Sequence, residues 1–232
     1  MVTSAIPIAS VFAAPRIHDD SVTSTNWSGY AVTGSSVSDA KGTWTVPAIQ
    51  GTCPSSNQYS SFWVGIDGYN SGTVEQTGTD SDCQGGVPTY YAWYEFYPHP
   101  SFIISGLTVR PGDSMSAQAK FSGRTFTVTI TDTSTGVSFS KSAKVNSAQR
   151  TSAEWIAEAP SSGGVLPLAN FGKVTFSSCD ATINGTTGTI SSFGSNVHQI
   201  TMVTSGGATK ASPSALSGSG DGFSVTWVSS GP

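Results

Sequence analysis

The sequence predicts an all-β chain, folded as two packed antiparallel sheets or as a barrel. Three observations carry that prediction. Apolar and polar residues alternate with a period of two along most of the chain. Turn signals, among them "RPGD" at 110–113 and "NGTTG" at 184–188, separate the alternating runs. No amphipathic pattern of ten residues fits a helix.

The strand candidates follow in chain order. The first are "NWSGYAV" at 26–32 and "GTWTVPAI" at 42–49. In "SFWVGID" at 61–67, Phe62, Val64 and Ile66 share one face; Ser61, Trp63, Gly65 and Asp67 share the other. "TVEQTGTD" at 73–80 follows. "TYYAWYEFYP" at 89–98 sets Tyr91, Trp93, Glu95 and Tyr97 against Tyr90, Ala92, Tyr94 and Phe96. Runs at 114–121, 125–132, 136–143, 173–179, 197–204 and 222–229 alternate in the same way. One segment is ambiguous. "TSAEWIAEAP" at 151–160 reads as a short helix or a strand, and Glu154 and Glu158 share a face in either.

Composition narrows the function classes. Of 232 residues only 10% are charged, against an average near 25%. Ser and Thr together make up roughly 29%. The 6 Trp, 7 Tyr and 11 Phe exclude a disordered chain. A net charge of −4 gives no basic field for nucleic acid. No apolar run is long enough for a membrane helix. With its carboxylates neutral, the chain carries at most the charge of 10 Lys and Arg, 3 His and the amino terminus. It therefore suffers little of the self-repulsion that opens proteins in acid. The length fits one large domain, and a monomer is expected.

Residues 1–23 are expected to be a leader or pro-segment remnant, and residues 24–232 the folded domain. "VFA" at 11–13 fits a small-residue cleavage pattern, which implies a secreted, extracellular protein. There are three cysteines, Cys53, Cys83 and Cys179. Cys53 and Cys83 both lie in loop-like sequence. A bridge between them would close a loop of about 30 residues and contribute about 3–4 kcal/mol; the alternative leaves all three thiols free.

Several chemistries lack their residues. The histidines are His18, His99 and His198, and no G-x-S-x-G elbow accompanies them. H-E-x-x-H and Cys-x-x-Cys spacings are absent, so no metal or other cofactor is expected. The paired D-T-G sequences of pepsin-like enzymes are missing, so pepstatin is not expected to inhibit. What remains is carboxylate and amide chemistry. The chain has four Glu: Glu75, Glu95, Glu154 and Glu158. Glu95 lies in an aromatic strand, where a buried carboxylate needs a partner or a raised pKa. On pattern alone Glu158 reads as a solvated strand end.

The motifs "NWSGY" at 26–30, "WVGIDG" at 63–68, "EQTGTD" at 75–80, "AWYEFYP" at 92–98 and "AEWIAEAP" at 153–160 occur in that order. In this the chain resembles the eqolisin family of glutamic peptidases. The resemblance implies a concanavalin-like β-sandwich of two antiparallel sheets with its site on a concave face. It implies a secreted acid endopeptidase with a Gln/Glu dyad acting on polypeptide substrate. The dyad falls on Gln76 and Glu158. Trp63, Asp67, Glu95 and Trp27 fall at supporting positions around the cleft. The cysteines are not carried by the resemblance.

That assignment has a chemical logic. Histidine is protonated in acid, whereas a carboxylate with a pKa near 4 is still partly ionised there and can take a proton from water. The Gln amide is neutral at every pH and can donate to an oxyanion. A competing reading is a β-sandwich glycoside hydrolase or carbohydrate-binding domain, with its carboxylates drawn from Glu75, Glu95 and Asp67.

Overall fold

A computed structural model describes residues 23–231. The expected leader, with His18, lies outside the described residues, except that Thr23 already belongs to the first strand. Among the described residues sixteen strands run in chain order. They are β1 (Thr23–Ser24), β2 (Trp27–Thr33), β3 (Asp39–Thr45), β4 (Ser61–Ile66), β5 (Val74–Gln84), β6 (Val87–Tyr97), β7 (Phe102–Ile103) and β8 (Ser114–Ser122). They continue with β9 (Thr125–Asp132), β10 (Val137–Ala143), β11 (Ser152–Glu158), β12 (Lys173–Ile183), β13 (Thr186–Thr189), β14 (Val197–Val203), β15 (Thr209–Pro213) and β16 (Phe223–Trp227). One 3-10 segment, Ile190–Asn196, precedes β14. Among the described residues no helix is long and apolar enough to cross a membrane.

Two sheets form a sandwich. One has the order β10-β9-β8-β3-β12-β16-β15-β14, and the other continues as β2-β11-β4-β5-β6-β7. The neighbours along this path pair antiparallel. Strand β14 belongs to both sheets: Met202 and Val203 pair with β15, while Val197–Ile200 pair with β2. The short β1 runs parallel to β14, and β13 pairs with β12. The ambiguous segment at 151–160 is a strand. β11 pairs on both sides, with β2 and β4, so its polar backbone groups are satisfied by neighbours that a lone helix would not need.

The inner faces of the two sheets make the main core. Phe62, Val64, Ile66, Ala153 and Trp155 come from one sheet; Trp44, Met115, Phe126, Val128, Ile130 and Phe176 from the other. A second, smaller apolar cluster lies on the far face of β2, β11, β4 and β6, with Trp27, Trp63, Trp93 and Ile156. β2, β4 and β11 are therefore buried on both sides, while β6 is only partly so. Cys53 and Cys83 form the disulfide, with Cα atoms 5.4 Å apart, and Cys179 is free and buried.

Candidate active site

The strand register places the candidate residues in three rows across the second sheet. Row one is Trp27, Glu158, Ser61, Asp80 and Tyr91. Row two is Gly29, Ile156, Trp63, Gly78 and Trp93. Row three is Ala31, Glu154, Gly65, Gln76 and Glu95. Residues opposite one another share a face, and so do alternate residues along a strand, so all three rows face the same way. Glu75 lies on the other face, in register with Ile66 and Phe96.

Trp63 links the two halves of this surface. Its Nε1 donates to Glu158 Oε2 at 2.7 Å. Its ring lies back over Gly65, where an added Cβ would meet Trp63 Cζ3 at 3.1 Å and Gln76 Cβ at 3.0 Å. At Gly78 a Cβ would stand 2.7 Å from Trp63 Cβ and 2.3 Å from the Phe62 carbonyl oxygen. Gly65 thus leaves room for the indole, and Gly78 for the close approach of β4. Trp27 packs edge-on against it, with ring centroids 5.0 Å apart.

Glu158 is buried, which corrects the expectation of a solvated strand end. Asn26 Nδ2 donates to its Oε1 at 3.2 Å. The Ser24 hydroxyl donates to Asn26 Oδ1 at 3.0 Å, which turns the amide nitrogen toward Glu158. Burial pushes the Glu158 carboxyl up to about 8. The Trp63, Trp27 and Asn26 N–H groups oppose that rise, Trp27 from beyond hydrogen-bonding geometry, and Asp80 adds to it. The ordinary pKa near 4 expected from sequence is therefore displaced in this dry setting.

Gln76 Nε2 donates to Glu95 Oε2 at 2.6 Å. One N–H of the amide is thereby committed and the other is not. Gln76 Oε1 is buried and accepts no hydrogen bond among the described residues. Glu95 thus fixes how the Gln76 amide points.

Asp67 does different work from the other candidates. Its Oδ2 accepts from the backbone N–H groups of Gln149 and Arg150, at 2.9 and 2.7 Å. Its Oδ1 accepts from the Thr151 N–H at 2.8 Å and the Thr151 hydroxyl at 3.1 Å. Asp67 therefore pins the turn leading into β11 and reaches Glu158 only through that strand. Burial pushes the carboxyl of Glu154, on the same strand, well above the ordinary carboxylate range.

Sequence reasoning overlooked two participants. Asn26 stands in "NWSGY" but gave no signal of its own, because its partner lies 132 residues away. Asp80 closes "EQTGTD", four residues after Gln76, and that even spacing alone puts it on the Gln76 face.

The Peptidase A4 family model matches residues 25–227. The chain is 33% identical over 190 residues to Aspergillopepsin-2 of Aspergillus niger, covering 71% of this chain. It is 35% identical over 173 residues to Scytalidopepsin B of Scytalidium lignicola, covering 69% of this chain. The matches span 66% and 64% of those two proteins' own lengths, just under two thirds. Among solved structures, scytalido-glutamic peptidase with a transition state analog inhibitor is similar, with a TM-score of 0.75 and 29% identity. The similarity covers 88% of this chain and 98% of that one. SCP-B, described as a member of the eqolisin family and complexed with the tripeptide Ala-Ile-His, has a TM-score of 0.72 and 28% identity over the same shares.

Proposed function

The chain belongs to the Peptidase A4 family, the eqolisins, and from that premise we propose that it is a secreted acid endopeptidase whose dyad is Gln76 and Glu158. The single observation that carries the dyad is the Trp63 indole. It bonds Glu158 at one end and lies beside Gln76 at the other, on one face of one sheet.

The reaction follows from the donors and acceptors. Glu158 takes a proton from water, and the water oxygen attacks the peptide carbonyl. The two N–H groups on Glu158, from Trp63 and Asn26, favour its ionised form. Water entering with substrate relieves part of the burial that holds the proton on. The uncommitted N–H of Gln76 donates to the developing oxyanion. Glu158 then returns its proton to the departing amide nitrogen. Trp93, Tyr91 and Tyr97 supply apolar walls for an extended polypeptide. All of these groups come from one chain, in keeping with a monomer. Secretion is supported by the Cys53–Cys83 disulfide, which persists in oxidising surroundings.

The sugar reading loses its carboxylate pair. Glu75 and Glu95 lie on opposite faces, and Asp67 gives its oxygens to residues 149–151. The test is cleavage of a denatured protein in acid by wild type beside Glu158→Gln, with pepstatin added in parallel and reducing-sugar release from glucan as the contrast. Proteolysis that survives pepstatin and disappears in Glu158→Gln is expected. Equimolar inhibition by pepstatin would sink the reading.

A further inference from the structure

Asp80 faces Glu158 with only Ser61 between them in row one. The two carboxyls are held alike: Trp63 Nε1 donates to Glu158 at 2.7 Å, and Trp93 Nε1 donates to Asp80 Oδ1 at 2.6 Å. Asp80 has a further support that Glu158 lacks. The Tyr91 hydroxyl lies 2.8 Å from Asp80 Oδ2 and 3.0 Å from Asp82 Oδ2. Asp82 in turn accepts from the Ser60 N–H and from Gln84 Nε2, both at 3.0 Å. One phenol proton cannot serve two anions equally, and both carboxyls are buried. The assembly is built to retain an extra proton.

We infer that Asp80 is a positioning residue for peptide hydrolysis, controlling across Ser61 how readily Glu158 gives up its proton, while Tyr91 and Asp82 hold Asp80 in place. This rests on the reading of Glu158 as the base. Among the described residues, the titratable groups facing Asp80 are Glu158 from β11, Asp82 from its own strand and Tyr91 from β6; Ser61 and Trp93 face it as neutral donors. Burial raises Asp80 to about 6, and Ser61, Tyr91 and Trp93 pull against that. Burial and Asp80 raise Asp82 as well, and Asp82 stands outside row one, in register with Thr89. An ionised Asp80 makes a second negative charge beside Glu158 costly, and a neutral one does not.

The experiment is a pH profile of kcat/KM on a peptide substrate for wild type, Asp80→Asn and Asp82→Asn, with melting temperatures as the check on folding. Asp80→Asn removes the opposing charge. It should move the Glu158-governed limb to lower pH where Asp80 is ionised, raising the ratio of kcat/KM at about pH 6 to that at about pH 7 roughly threefold or more. Asp82→Asn changes a carboxyl outside row one and should leave the limb in place. A wild-type profile merely scaled down in Asp80→Asn, or the same displacement in both variants, overturns the inference. If Asp80→Asn does not fold, Tyr91→Phe serves instead. It removes a hydrogen bond that favours the Asp80 anion and must move the limb the same way; an unmoved limb is equally fatal. Activity surviving in Glu158→Gln brings down the dyad and this inference together. An inactive Glu158→Gln with an unmoved limb in Asp80→Asn or Tyr91→Phe removes the inference alone.

Discussion

The outer face of β9–β10 and the Glu158 face of β11-β4-β5-β6 both carry polar side chains on antiparallel strands, yet they use opposite chemistry. On the first, hydroxyls face one another across the strands: Thr127 with Ser142 at 2.8 Å, Thr129 with Ser140 at 3.1 Å, and Thr131 with Ser138 at 2.9 Å. On the second stand Glu95, Glu154, Glu158, Asp80 and Asp82, each no more than 3% exposed. The first face stays neutral and wetted at every pH. The second tolerates burial while its carboxyls keep protons. The Ser/Thr excess and the scarcity of charge thus have one physical sense: hydroxyls cover the outside, and carboxylates are concentrated where they can do acid-base work.

The largest expected effect breaks the Glu158 face alone. Glu158→Gln should cost activity by a factor on the order of 10³ or more, and Gln76→Ala about 10²–10³. The double variant should be little worse than Glu158→Gln, since members of one catalytic unit are not additive. More than about a tenth of wild-type kcat/KM remaining in Glu158→Gln, under roughly 1.4 kcal/mol of barrier, would falsify the dyad.

Next comes stability against pH. Glu75, on the inner face of β5, is pushed up to about 9 by burial and by Asp67, and Glu158 to about 8 by burial. Both folded values exceed the unfolded one near 4.5. The folded state therefore holds more protons than the unfolded state between those limits. Stability is full below about 4.5 and is lost as pH rises toward 8 to 9. Melting temperatures taken across that window should fall, and Glu75→Gln should flatten part of the slope. Changes on the hydroxyl face, such as Thr129→Val, should leave the slope untouched. A flat wild-type profile would show that the buried carboxyls are ionised after all.

Opening the Cys53–Cys83 loop touches neither face directly. Cys53→Ser with Cys83→Ser should lower stability by about 3–4 kcal/mol in the loop-entropy account, with activity retained on the folded fraction. Thiol titration of unreduced protein should find neither group free. The smallest effect is expected on the outer face. Ser140→Ala removes one exposed hydroxyl contact and should change unfolding free energy by about 0.5 kcal/mol or less, with kcat/KM unchanged. A larger loss would mean that the hydroxyl ladder stabilises the sandwich rather than only solvating it.

The period-two alternation determined the fold class, because successive side chains on a strand must point to opposite faces whatever surrounds them. The even spacing of Gln76 and Asp80 held a signal that they share a face, and the motif order supplied the positions proposed for the dyad. The short β13 and β15 left no comparable signature, since four or five residues are too few to show a period. Alternation could not say that both faces of β4, β5 and β11 are buried, because Trp63 and Ile156 alternate with Phe62 and Ala157 in apolar runs on either side. Nor could it bring Asn26 and Trp63 to Glu158, 132 and 95 residues away. Strand formation is a near-neighbour matter of backbone sterics. Strand order, the double membership of β14 and the drying of Glu158 come from burial summed over the whole chain, and only the tertiary structure decides that sum.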